Sequence, residues 1–241
     1  MTTKSATDSK LRSQQAVVTG GAGAGKAPGS SVKPLSTPGV PQEVLEAAET
    51  GLPFYLGQIP PGSKEVYGFA STDDLSAARL GAPLQMLTIT PAAIDKSSSS
   101  TTVSSILSET GMWFFPIQIE SESKAMLVVD RDVGTWKAVS FGYAGLSHEL
   151  NELLAQWPDS KGFHPQLIAV FPAMRFYFTV PEADDFNLTQ IRLAQGGFSR
   201  PTPPGIAAEA QPQDYGTLSR VSKSLDELRP IVLRAEMQAA R

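Results

Sequence analysis

Two histidines, His148 and His164, are the side chains best suited to acid–base or metal chemistry in this 241-residue chain. The chain has no cysteine, which excludes thiolate metal sites, cysteine nucleophiles and disulfides within it. Glu152 follows His148 by four residues, a spacing that brings two side chains together on a helix. With His164, this pair could bind a divalent metal and activate water. One of the two functions that the sequence suggests is therefore a hydrolase or metal-dependent enzyme that uses His148, Glu152 and His164. It is the alternative to the binding function described below.

The run from His148 to Glu152, His-Glu-Leu-Asn-Glu, resembles the metallopeptidase signature H-E-x-x-H with glutamate as its last residue. Helical geometry places both side chains away from the apolar stripe of the same segment, so we expect them to face solvent. A catalytic metal requires a dry, shaped cavity, and we therefore predict no catalytic residue, metal ligand or cofactor. The apolar stripe consists of Leu146, Leu150, Leu153, Leu154 and Trp157.

A second motif lies near the N-terminus, where the run from Gly20 to Ala27 resembles the Walker A pattern G-x-x-x-x-G-K-[ST] of the P-loop family. Ala27 stands where that pattern has the hydroxyl that holds Mg²⁺. The following residues, which include Pro28 and Pro34, do not favour the helix that should face the phosphates. The sequence therefore predicts a linker here and no nucleotide site.

Residues 1–40 form a compositional segment of their own, rich in Ser, Thr, Ala, Gly and Pro. Their five basic residues and one acidic residue give a net charge of +4, whereas the other 201 residues carry 15 basic and 23 acidic side chains, or −8. This composition predicts a flexible basic arm, with a targeting role left open. Five dispersed cations without interleaved aromatic residues do not favour nucleic-acid binding.

The central part of the chain has the periodicity of packed strands and a helix. Alternation predicts a strand over residues 112–119, followed by strands over 124–130 and 136–141 that complete a meander. The helix around residues 146–157 should cover this sheet, and residues 166–180 return as one long strand or two short ones. We therefore predict an α+β domain over residues 41–195, with an antiparallel sheet of about five strands covered by an amphipathic helix.

The elements before the meander are predicted from their end signals. Residues 41–49 favour a short helix that Gly51 ends, and residues 71–81 favour a second helix. A strand follows over residues 84–90. Pro116 cannot donate a ladder hydrogen bond, which predicts an edge position or a bulge in its strand.

The C-terminal part is predicted to comprise a Pro/Gly-rich linker over residues 196–216 and a helical segment over 217–241. Apolar residues of this last segment follow helical spacing, which is typical of a helix that docks on the body of the chain or on a partner. Proline at position 230 kinks that helix or starts another. The predicted partner helix presents Leu218, Val221, Leu225 and Leu228.

A binding surface is the remaining functional prediction. If one face of the last core strand is buried, the intervening residues point outward, and the third strand places a lysine near them. Tyrosine and arginine are frequent in interfaces, so we predict a non-catalytic binding or assembly module that acts through this sheet face or the C-terminal helix. The predicted binding residues are Lys137, Arg175, Tyr177 and Thr179.

Composition limits the remaining classes. A hydrophobic content of 41% and a charged content of 18% are typical of a globular protein. No apolar run approaches the length of about 20 residues that a membrane helix needs, and the start lacks the apolar region of a secretory signal. We expect a soluble chain that binds a protein partner or itself, and the compartment stays open.

Overall fold

The computed structural model describes residues 39–171, 175–190 and 221–239, which form an α+β fold. Within these ranges the four α-helices are α1 (Gln42–Leu56), α2 (Pro91–Lys96), α3 (Ala144–Gln156) and α4 (Leu225–Ala239). The nine strands of the same ranges are β1 (Arg79–Leu80), β2 (Leu84–Ile89), β3 (Leu107–Ile119), β4 (Glu122–Asp132), β5 (Thr135–Gly142), β6 (Gln166–Val170), β7 (Arg175–Val180), β8 (Asp184–Gln190) and β9 (Val221–Ser224).

All nine strands belong to one sheet. Its order is β5-β4-β3-β2-β6-β7-β8-β9. Strand β1 also pairs with β3, on the same side as β2 and just before the start of β2. Every pair is antiparallel except β2 with β6. The α+β class and the mostly antiparallel sheet are confirmed. The predicted number of about five strands is too low, because short strands such as β1 and β9 carry little periodic signal.

Strand β3 confirms the predicted alternation. Trp113, Phe115 and Ile117 are buried in one hydrophobic cluster, whereas Phe114 is buried in the cluster on the opposite face. Pro116 nevertheless lies in an inner strand, because β3 has neighbours on both sides. Its carbonyl accepts a hydrogen bond of 2.7 Å from the amide of Gly81, which lies in the break between β1 and β2. A missing N–H is tolerated at such an interruption of the ladder.

Helices cover both faces of the sheet. On one face α3 buries its predicted leucine stripe against strands β3, β4, β6 and β7. The other face is covered by α1 at the β4–β5 end and by α2 and α4 at the β6–β8 end. The neighbouring residues Leu167 and Ile168 of β6 distinguish these faces, since the first packs with α3 and the second with α4.

Helix α1 extends beyond its predicted end. It continues through Gly51 and Pro53 to Leu56, so the prediction that Gly51 ends it is wrong. Gly51 is buried and lies directly against Ala138 of β5. A side chain at position 51 would overlap Ala138, so the close approach of α1 and β5 requires glycine at this position. The predicted helix over residues 71–81 is also wrong, because Asp74 caps only a short 3-10 turn before β1.

The ends of the chain fall largely outside the described residues. This applies to residues 1–38 of the predicted arm and to the predicted linker over residues 196–216. It also applies to Leu218 of the predicted partner helix. The proposed boundaries of the arm and the linker therefore stay predictions. The prediction that Val221 belongs to the partner helix is wrong, because Val221 begins strand β9 and α4 begins only at Leu225.

Candidate functional site

The residues of the predicted enzyme site do not come together. His148 Nε2 lies 3.2 Å from Glu152 Oε1 on the surface of α3, with the histidine side chain 44% exposed as its position on the helix predicts. His164 Nδ1 lies 3.1 Å from Glu182 Oε1 instead, and its amide donates to Glu182 Oε2 over 3.1 Å. Partial burial alone would raise the pKa of Glu182, but these hydrogen bonds from His164 hold it below its ordinary value. In the described parts of the chain no three His, Asp or Glu residues could hold a metal together.

The predicted outward face of β7 is buried. Tyr177 is 1% exposed and Thr179 is 2% exposed, so the expectation that both face solvent is wrong. Tyr177 packs in one cluster with Leu225 and Leu228 of α4. Burial raises the pKa of Tyr177, an effect that the charge of nearby Arg175 opposes. The predicted sheet face and the predicted partner helix therefore bury each other within a single chain.

Helix α4 is also held by hydrogen bonds at its side. Arg229 donates from Nε to the carbonyl of Ile94 over 3.2 Å, and from Nη2 to the carbonyl and the hydroxyl of Ser97. These groups lie at the C-terminal end of α2, where backbone carbonyls lack helical partners. The guanidinium thus joins α4 to α2 within the same chain.

The other two predicted binding residues are exposed but distant from each other. Lys137 lies in β5 and forms a 2.8 Å ion pair with Asp132, whereas Arg175 begins β7. Five strand intervals separate β5 from β7, or about 24 Å at a spacing of about 4.8 Å. The expectation that Lys137 stands near Arg175 is wrong.

Lys137 instead lines a groove of about 810 Å³ between α1 and the β4–β5 hairpin. We call it the edge groove. The helix side of its wall includes a stripe of four residues that share one face of α1, beginning with a glutamate and ending with a phenylalanine. The hairpin side supplies Trp136, Lys137 and Ala138. The helix stripe consists of Glu43, Ala47, Thr50 and Phe54.

The basic side chains of the edge groove have charged or aromatic partners, whereas its carboxylates form no ion pair with the described residues. Lys137 is neutralised by Asp132, and Arg131 lies over the ring of Trp136 with 5.0 Å from Cζ to the ring centroid. Glu46 accepts a 3.3 Å hydrogen bond from Gln42, a neutral side chain. Neither Glu43 nor Glu46 forms an ion pair with any described residue. The groove therefore combines one neutralised cation, one cation that lies over an aromatic ring, and two carboxylates that form no ion pair with the described residues.

The groove runs along the edge of the sheet. Of the described strands, only β4 pairs with β5, so the other side of β5 carries backbone groups without a strand partner. The Tyr55 hydroxyl donates to the carbonyl of Ala138 over 3.4 Å and anchors α1 beside this edge. Burial, followed by the proximity of Tyr143, raises the pKa of Tyr55. Phe54, in contrast, is 62% exposed at the wall of the groove.

The sequence contained one signal for this groove. Glu43, Ala47, Thr50 and Phe54 are spaced by four, three and four residues, which is one face of a helix. A helix predicted to end at Gly51 leaves Phe54 outside that face, so the stripe was missed. That the stripe lies along an unpaired strand follows only from the strand order, which local periodicity does not encode.

No family model, curated protein or solved structure matches this chain. None of the helices in the described ranges has the length and apolar character needed to cross a membrane.

Proposed function

We propose that this chain is a non-catalytic binding module that holds an extended polypeptide segment in the edge groove. The segment adds to the sheet as a strand beside β5, with its backbone paired to the open side of that strand. The observation that carries the proposal is the position of a groove of about 810 Å³ along β5, which has a single neighbour among the described strands. Edge strands with an adjacent side-chain groove are a recurrent means of peptide recognition.

The walls of the groove support recognition of side chains as well as backbone. Phe54 and Trp136 are two aromatic side chains that an apolar residue of the segment can contact. Phe54 is 62% exposed, and covering it removes apolar surface from water. Main-chain pairing supplies affinity in this binding mode, whereas the contacts of alternate side chains supply specificity.

Two features of β5 oppose pairing with arbitrary strands. Lys137 places a charge on the edge, and the register between β4 and β5 shifts between Val128 and Val129. Charged residues and irregular pairing are common protections of sheet edges. These features favour the binding of selected segments over aggregation through the sheet edge, because a bound segment must also fit the walls of the groove.

Selection from a displayed library of random octapeptides tests this proposal on the full chain. Binders recovered on the wild-type chain should lose at least about fivefold in affinity for Phe54→Ser, in line with the loss of a largely desolvated aromatic contact. Phe186→Ser is the matched control, since Phe186 is 50% exposed on β8 at the other end of the sheet. Fluorescence anisotropy of labelled binders gives both affinities.

Three results decide the proposal. Binders that distinguish Phe54→Ser from Phe186→Ser support it. A library without binders refutes it, as do binders that are insensitive to Phe54→Ser. Circular dichroism of both variants verifies the fold, which exposed side chains at these two positions should not determine.

A further inference from the structure

We infer that the segment bound in the edge groove carries an apolar side chain and, four residues later, a lysine or arginine. This inference rests on the proposed function and specifies the chemistry of its ligand. It follows from the charges of the groove, the length of its helix wall and the relative direction of α1 and β5.

The charge of the ligand follows from the unpaired carboxylates. Glu43 and Glu46 line the groove, and no described residue neutralises either of them. On the opposite wall Lys137 is neutralised by Asp132, whereas Arg131 lies over the ring of Trp136 and keeps its charge, so among the described residues the two carboxylates face one cation that is not ion-paired there. A basic side chain in the groove would therefore meet two acceptors without displacing an existing ion pair. An acidic ligand side chain would meet repulsion from the same carboxylates.

The spacing follows from the geometry of α1. Glu43 and Phe54 are eleven residues apart, close to three helical turns, so they share one face and lie about 16 Å apart along the axis. Alternate residues of an added strand face the same side, and two such residues four positions apart are separated by about 13 Å. The long side chain of lysine or arginine covers the remaining distance to Glu43 or Glu46.

The order of the two residues follows from the direction of α1. Its C-terminal half lies beside β5 through the Tyr55 contact with Ala138 and the stacking of Tyr55 on Phe141. One turn earlier in α1, Gly51 lies against Ala138, which precedes Phe141 by three residues in β5. Helix and strand therefore run in the same direction. An added strand that is antiparallel to β5, the commoner pairing, reaches Phe54 first and the carboxylates afterwards.

Three labelled octapeptides test the inference on the full chain by fluorescence anisotropy. The first is Thr-Phe-Thr-Val-Thr-Lys-Thr-Thr, the second has glutamine in place of lysine, and the third has lysine and phenylalanine exchanged. The first should bind about 1.5- to fivefold more tightly than either of the others, the range expected for exposed ion pairs. Added salt should reduce this difference.

Charge variants of the protein locate the effect. In the double variant Glu43→Gln/Glu46→Gln the preference for lysine over glutamine should disappear. The double variant Glu65→Gln/Glu109→Gln is the matched control, because it removes the same charge from exposed positions outside the groove. It should retain the preference.

The outcomes separate the inference from the proposed function. Equal affinity of the lysine and glutamine peptides overturns the inference, whereas binding that still depends on Phe54 leaves the proposed function intact. Equal affinity of the first and third peptides overturns the assigned order. A preference for lysine that persists in Glu43→Gln/Glu46→Gln overturns the role of these carboxylates. If none of the three peptides binds while the library yields binders that depend on Phe54, the inference is overturned and the proposed function stands.

Discussion

Replacement of Gly51 by alanine should destabilise the protein, although the same change at an exposed helix position is stabilising. Alanine is favoured over glycine by about 1 kcal/mol in a helix interior. At Gly51, however, the added Cβ overlaps Cβ of Ala138 and lies 3.7 Å from Cδ2 of Leu127. Overpacking of a core costs about 1 to 3 kcal/mol, and a direct overlap belongs to the upper half of that range. We expect a net loss of about 1 to 2 kcal/mol.

Urea denaturation followed by circular dichroism measures this loss. At a slope of about 2 to 3 kcal/mol/M, the midpoint should fall by about 0.3 to 1 M. Ala138→Gly removes the atom that is overlapped, so the double variant Gly51→Ala/Ala138→Gly should be more stable than the sum of the single changes predicts. The reasoning is refuted if Gly51→Ala is as stable as the wild-type chain, or if the double variant shows only additive effects.

Three further predictions concern other parts of the fold. Asn151→Leu removes both hydrogen bonds, of 3.0 and 2.8 Å, that join α3 to the backbone of β4, and should cost about 1 to 3 kcal/mol in urea denaturation. Leu228→Ala truncates a fully buried side chain of α4 and should cost about 2 to 5 kcal/mol by the same measurement. Hydrogen bonds from the Asn187 side chain and the Phe186 amide hold the pKa of Asp184 below its ordinary value, although partial burial opposes them. Its stabilisation should be complete above about pH 4 and be lost as the pH falls through the lower folded pKa, so thermal melts of Asp184→Asn should show lower stability at pH 7 and a weaker acid dependence.

The part of the fold that was predictable from the sequence is the part with long periodic runs. Alternation in residues 112–119 and the leucine stripe of α3 identified the inner faces of β3 and α3, because burial on one side imposes a period directly on the sequence. Strand β1 has two residues and β9 has four, too few for a period. The helix end at Gly51 was mispredicted because the glycine serves close packing against β5, a tertiary contact.

The candidate site was less predictable for a related reason. Alternation divided Tyr177 and Phe178 correctly between two faces, but it could not show that α4 covers the face of Tyr177. An apolar stripe such as that of Leu225 and Leu228 indicates that something packs on it, not whether the partner lies in the same chain. The same limit applies to β5, since its edge position depends on the order of all strands in the sheet.

The mutual burial of α4 and the β7 face changes how the C-terminal segment should be regarded. Removal of α4 would uncover Tyr177 and Leu188, which are buried with it. A shortened chain is therefore expected to associate through newly exposed apolar surface. Changes in solution mass after such a truncation would report this exposure and would not identify a natural interface.

Amide hydrogen exchange of the full chain, with and without a saturating groove-binding octapeptide, tests the central claim most directly. Pairing of an added strand with β5 predicts slower exchange for those amides of residues 135–142 that point away from β4, and little change for residues 166–190. Unchanged exchange along β5 under saturating peptide, or protection confined to the β6–β8 end of the sheet, would contradict the edge groove as the binding site.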